Sequence, residues 1–150
     1  MLSRITRYLF AAALLGSSVS CIHKNSVTVS PSYSQAKIRS LDSFHVRRHD
    51  KDDHGLSTTI AGELRKMGYS ATEGGPGSKA GKSDAVVTYT DRWYWDITPY
   101  LLSLSIQVRD PANDSVMATA ETTRSSLARK SPAKMSEETL NTLLDRKAAE

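Results

Sequence analysis

The chain has 150 residues, a formal net charge of +4 and a single cysteine, Cys21. That length suits one domain with a real core, and a lone cysteine excludes an internal disulfide, so packing must supply the stability. Two of the positive charges, Arg4 and Arg7, fall in the first 20 residues; without them the balance is +2, too even to argue for nucleic acid as a partner.

The N-terminal segment has a definite order. Arg4 and Arg7 come first, an apolar run over 8–15 follows, and small residues fill 16–20. Charge, apolar run and small residues in that sequence are the pattern of a secretory signal over 1–20. The run is far short of the roughly 20 apolar residues that span a bilayer, so it reads as a removable leader. Ser18, Val19, Ser20 and Cys21 resemble the lipobox of bacterial lipoproteins. That resemblance implies cleavage before Cys21 and acylation of its thiol. Ser18 stands where an aliphatic residue is usual, and Ser18-Val19-Ser20 also fits the small-x-small site of ordinary signal peptidase. Only the lipoprotein reading accounts for the place of the lone cysteine. One acyl chain holds a protein marginally, at about 0.8 kcal/mol per buried methylene, so a multiply acylated Cys21 is the kind of anchor that lasts. Residue 22 is Ile and not Asp. By resemblance to the enterobacterial sorting rule, this implies the periplasmic face of the outer membrane.

Residues 21–37 are rich in Ser and contain Pro31, which predicts a flexible tether with a short extended piece at 27–29. Its r.m.s. span would be roughly 20 Å. A single domain over 38–150 follows. Its first strand is expected at 41–47. A helix over 55–67 is expected next, with Leu56, Ile60, Leu64 and Met67 at helical spacing, Asp53 as N-cap and Gly68 closing it. A short strand is read at 69–72. Residues 74–82 form a Gly-rich, Lys-bearing loop. The strongest strand signal is 84–95, where Ala85, Val87, Tyr89, Asp91, Trp93 and Trp95 share one side. After Pro99 a second long strand covers 100–109, with Leu102, Leu104, Ile106 and Val108 facing one way. Turn residues at 110–114 lead to a third strand at 115–125, whose Ala118 and Ala120 would let a helix come close. A last helix is expected at 137–147 with Ser136 as N-cap. The fold class is therefore α+β: a mostly antiparallel sheet of about four to five strands in the order β-α-β-β-β-β-α, with two helices on one face.

This layout resembles the small α+β domains of several bacterial envelope-lipoprotein families that have no assigned reaction. The resemblance is carried by 64–69, by the strand opening Ser83-Asp84-Ala85-Val86-Val87, and by Tyr100-Leu101-Leu102. It implies a fold and a location but no chemistry.

Candidate chemistry is sparse. Residues 75–83 (GPGSKAGKS) look like a P-loop, but the glycine required five residues before Gly-Lys-Ser is Pro76, and the loop leads into a strand where a P-loop must open a helix. No nucleotide is expected. His45, His49 and His54, with Asp50, Asp52 and Asp53 among them, are the metal-ligand types. Their spacing matches no paired-ligand motif, and Arg47, Arg48 and Lys51 set positive charge among them. They support a secondary reading as a metal-binding protein or metal-dependent hydrolase. There is no Gly-x-Ser-x-Gly elbow. Trp93, Tyr94, Trp95 and Tyr100 cluster near one strand end, and such rings serve either as core or as a recognition patch. With Arg92 and Arg109 they are the candidate partner-binding surface, and the Lys79–Lys82 loop is a second candidate, for anionic head groups. The expectation is a lipid-anchored envelope component that binds a protein, glycan or lipid partner, without catalysis and without a cofactor.

Overall fold

The computed structural model describes residues 23–145. The expected leader and Cys21 lie outside the described residues. The elements in chain order are β1 (His23–Val29), α1 (Gln35–Arg39), β2 (Ser43–Arg47), α2 (Leu56–Lys66), β3 (Ser70–Gly74), β4 (Ala85–Asp96), β5 (Thr98–Arg109), β6 (Val116–Arg124), a 3-10 turn (Ser126–Ala128) and α3 (Pro132–Leu143). They form one six-stranded sheet in the order β1-β6-β5-β4-β2-β3. The α+β class holds, but the sheet is mixed. The meander from β4 to β6 and the β1–β6 pair are antiparallel, whereas β2 runs parallel to both β3 and β4.

Two corrections to the sequence reading follow. The segment expected to be a tether is in fact a paired strand from His23 onward and a helical turn at α1. β1 is exposed along most of its length, so it has no apolar alternation to betray it; its backbone bonds to β6 hold it in place. Ile38 in α1 is fully buried and joins the core, and Ser34 caps that turn by accepting from the Lys37 N–H at 3.1 Å. The second correction concerns α3, which begins at Pro132 with Ser131 as N-cap. Proline at the first helical position loses no bond, because that N–H has no partner anyway. Ser136, expected as the cap, is instead buried inside the helix.

Both long helices cover one face of the sheet, α2 over β2 and β3 and α3 over β5 and β6. Leu56, Ile60 and Leu64 of α2 and Met135, Leu140 and Leu143 of α3 are fully buried against Phe44, Val46, Val87, Leu104, Ile106 and Val108. Each such side chain contributes about 1.5–3 kcal/mol of burial. Ala118 and Ala120 lie where α3 crosses β6, as their small size suggested. The N-cap residue of α2 is Gly55, in a left-handed conformation, and in place of the exposed Asp53 the side chain that takes the first amides is that of Asp52. Its carboxylate accepts from the Leu56 and Ser57 N–H groups at 2.7 and 3.0 Å and from the Ser57 hydroxyl at 2.8 Å. Burial works to raise this carboxyl, but those donors outweigh it and hold it down at about 2.

α3 is fixed to the sheet by a buried polar contact. Arg124 is completely buried on β6. Its guanidinium pairs with Glu138 of α3, which also pairs with Lys130, and it donates to Asn25 Oδ1 of β1 at 3.2 Å and to the Thr123 carbonyl at 3.1 Å. Beside it, the hydroxyls of Thr139, the next residue of α3, and of Thr122 bond at 2.8 Å.

Candidate functional site

The β4–β5 hairpin outruns the rest of the sheet. Its last pairs are Trp95 with Pro99 and Asp96 with Thr98, and the chain reverses at Ile97. The neighbouring β6 ends at Arg124, level with Leu102, since Thr123 pairs with Ser103. A bulge lies between: Arg92 pairs with Ser103 but Trp93 with Leu101, so Leu102 is the extra residue. The apolar face of β5 thereby passes from Leu104 to Leu101. This corrects the expected alternation through Leu102, because Leu101 is buried and Leu102 only half-buried.

The bulge region separates the two tryptophans. Trp93 packs against the core, stacks on His54 with ring centroids 3.8 Å apart, and donates its indole N–H to Asp91 Oδ2 at 2.7 Å. Asp91, the misfit in the alternating strand, is therefore a partner for Trp93 and for His49, whose Nε2 lies 3.1 Å from Asp91 Oδ1. Trp95 lies two residues beyond and is 69% exposed. Tyr94 is 59% exposed and Ile97 87%. Leu127, in the 3-10 turn beside the hairpin, is 75% exposed. Tyr100 is nearly buried, edge-on to Tyr94 at 6.0 Å.

Arg129 braces this tip. Its guanidinium sits 4.8 Å from the centroid of the Tyr100 ring and donates to Thr98 Oγ1 at 3.0 Å, to the Ser126 carbonyl at 2.9 Å and to Asp96 Oδ2 at 3.4 Å. The turn residue is costly in itself. Ile97 has φ of 59°, a left-handed conformation that a residue with a Cβ adopts at about 1–2 kcal/mol, and β-branching makes it worse.

The expected patch is thus partly assembled and partly dispersed. Trp95 is at the tip, Arg92 is exposed on the uncovered sheet face just below it, Tyr100 supports it from behind, and Trp93 belongs to the core. Arg109 is not part of it. It pairs with Val86 at the opposite end of the sheet and donates to Thr88, Gln107 and Asp114. Tyr94 belongs to the aromatic cluster read from sequence, whereas Ile97, Leu127 and Arg129 were missed. The one available signal was an isoleucine in a turn, where glycine or asparagine is the usual choice.

The three histidines occupy three separate settings. His45 is buried, with Nδ1 2.9 Å from Thr72 Oγ1 and Nε2 2.8 Å from Ser78 Oγ. Burial, and then the Arg47 charge, lower its pKa. The Nε2–Oγ spacing is that of a base and a nucleophile, but Nδ1 meets a hydroxyl where an orienting carboxylate would be needed. His49 Nδ1 accepts the Lys51 N–H at 2.9 Å, which leaves the Nε2 proton for Asp91 and no free nitrogen for a metal. His54 stacks on Trp93. Among the described residues, no group of three His, Cys, Asp or Glu side chains is placed to hold an ion, and no helix is long and apolar enough to cross a membrane.

The architecture is that of a small α+β domain with two helices on one side of a mixed sheet. No protein-family model matches the chain, and no curated protein matches it. Solved structures do. The dodecamer of a PelC variant from Paraburkholderia phytofirmans aligns with a TM-score of 0.56 and 17% identity, over 84% of this chain and 100% of that one. A second crystal form of the PelC dodecamer from the same organism gives 0.54 and 16%, over 82% and 99%. At such identities the likeness concerns the fold alone. A minor lipoprotein from Acinetobacter baumannii aligns over 70% of this chain at a TM-score of 0.30, too loosely to bear on it.

Proposed function

We propose that this chain is a lipid-anchored accessory or scaffold component of the bacterial cell envelope, held through Cys21 at the periplasmic face of the outer membrane. It works by binding and not by catalysis. The observation that carries this reading is Ile97: a β-branched residue kept at positive φ and almost fully exposed, beside an exposed Trp95. Strain of this kind persists where a contact needs the side chain. The hairpin tip also lies at the same end of the sheet as the start of β1, because His23 pairs with Arg124. Cys21 lies two positions before His23, a reach of about 7 Å at most. An acyl group on Cys21 would therefore set the tip against the membrane surface, where Trp and Tyr rings settle at head-group depth and Arg92 and Arg129 can meet phosphates. PelC, whose fold is similar, assembles as a dodecamer, so a second copy of this chain is a natural protein partner for the anchored domain.

The test uses the full-length, acylated protein in vesicles containing brominated lipids. With Trp93→Phe in place, Trp95 is the remaining indole, and bromine should quench its emission. Unquenched Trp95 in membrane-bound protein would move the partner surface elsewhere. Separately, Cys21→Ser should release the protein from membranes of the producing cell; a variant still bound there would contradict lipidation.

A further inference from the structure

The uncovered sheet face carries a second feature, at the end away from the hairpin tip. β2 is paired with the start of β4, since Phe44 meets Ala85 and His45 meets Val86. The tip is some ten residues along β4, or roughly 30 Å away. Here the 75–83 loop folds back over β2 and β3 and borders an open, solvent-facing cavity of about 380 Å³.

The loop is held in shape. His45 bonds Ser78 Oγ, the Arg47 Nε donates to the Ser78 carbonyl at 3.2 Å, and turn bonds join Ser78 to Gly75 and Ser83 to Ala80. Gly74 makes the contact possible. A Cβ there would lie 2.3 Å from Ser78 Oγ and 2.7 Å from His45 Nε2.

The groups this loop presents are unspent. Lys79, Lys82, Ser70 and Ser83 line the cavity, and among the described residues their side chains have no hydrogen-bond or ion-pair partner. Asp84, next to them, is already engaged: its Oδ2 accepts from the Ser43 hydroxyl and N–H at 2.7 and 2.9 Å and from the Asp42 N–H at 3.2 Å. Arg47 is paired with Asp114. What remains is two ammonium groups, which call for anions, and two hydroxyls, which both donate and accept. The cavity is open to solvent and far larger than a single inorganic anion needs.

We propose that this cavity binds an acidic saccharide, a sugar unit bearing carboxylate or phosphate groups, with Lys79 and Lys82 taking the anion and Ser70 and Ser83 the hydroxyls. The site is independent of the hairpin tip. With the tip at the membrane it would face the opposite way, which favours a glycan over the head groups of the protein's own membrane.

The experiment is calorimetric titration of the full-length protein in detergent with oligogalacturonate, a neutral dextran oligomer of equal length and inorganic phosphate. Oligogalacturonate should bind, more weakly as sodium chloride rises, and Lys79→Gln and Lys82→Gln should each cost about tenfold in affinity, the loss expected for one charge-assisted bond. Trp95→Ala should leave it unchanged, which separates this site from the tip. Equal affinity for dextran, indifference to both lysine substitutions, or no binding at all would overturn the proposal. Phosphate binding as tightly as oligogalacturonate would overturn the saccharide assignment.

Discussion

Replacing Glu138 by Gln tests how α3 is joined to the sheet. The substitution keeps the shape and removes the charge that faces Arg124. Arg124 has no exposed surface, so its guanidinium would be left as a buried cation with only neutral acceptors, Asn25 and the Thr123 carbonyl. Breaking a buried pair in this way costs about 3–5 kcal/mol. Glu138 is 16% exposed and Lys130 36%, so water reaches one side of the cluster, and about 2–3 kcal/mol is the better expectation. For a domain of this size that lowers Tm by about 10 °C. The double change Arg124→Met with Glu138→Leu removes both charges and refills the volume. It should lie within about 1 kcal/mol of the starting protein, because the pair's attraction mostly offsets its own desolvation. Burial tends to raise the Glu138 carboxyl, but the Lys130 hydrogen bond and the Arg124 and Lys130 charges outweigh it and hold it below its ordinary value. The stability it contributes is therefore present above the unfolded value of about 4.3 and is lost as pH falls through the lower folded value. Glu138→Gln should flatten that part of the acid limb. Urea denaturation across pH 2.5–7 reads all of this. A single variant that loses less than about 0.5 kcal/mol, or a double variant no better than the single, would refute the reasoning.

Outcomes are also expected for five other substitutions. Asp52→Ala removes the acceptor for two amides at the start of α2 and should cost about 1 kcal/mol. Because the Asp52 pKa is depressed to about 2, the difference between variant and parent should be full above pH 4 and vanish as pH falls through 2. Gly74→Ala should push the 75–83 loop off His45, cost about 1–3 kcal/mol through overpacking and shift the His45 ring resonances in NMR, with no change at the tip. Ile97→Gly should raise stability by about 1 kcal/mol by relieving the positive φ while weakening membrane contact, and Trp95→Ala should weaken that contact at nearly constant stability. Trp93→Ala, by contrast, should destabilise by about 3 kcal/mol in thermal or urea melts.

Elements that bury an apolar face were readable from the sequence because burial imposes a period. The α2 stripe of Leu56, Ile60 and Leu64 and the alternation of Leu104, Ile106 and Val108 on β5 are of this kind. Beyond its extended piece at 27–29, β1 was not readable for the same reason. An edge strand with both faces in solvent needs only backbone pairing, which any non-proline residue supplies. Strand direction was equally hidden. β2, β3 and β4 are short or buried enough that apolar composition does not distinguish parallel from antiparallel, and only the α2 crossover makes the β2–β3 pair parallel. The candidate patch was half legible. Aromatic residues at 93–95 marked the right hairpin, but which of them leave the helical layer depends on where α2 and the 42–55 segment end, a long-range matter.

The two faces of β4 show why residue type alone misleads here. Tyr89, Asp91, Trp93 and Trp95 alternate on one side, yet they pass from a 4% exposed tyrosine to a 69% exposed tryptophan within six residues. Asp91 is the turning point. It accepts from Trp93 and faces His49, so the carboxylate is satisfied where the core thins out and solvent begins. A strand that ended at Trp93, opposite Leu101, would bury everything it needed. The three residues beyond Trp93 on β4 are the rim and tip and add little core. Strand length in excess of the layer that covers it, ending in a strained aliphatic residue at Ile97, costs stability without adding to the fold. On the proposed function this exposed extension is the membrane-facing surface, which bromine quenching of Trp95 tests.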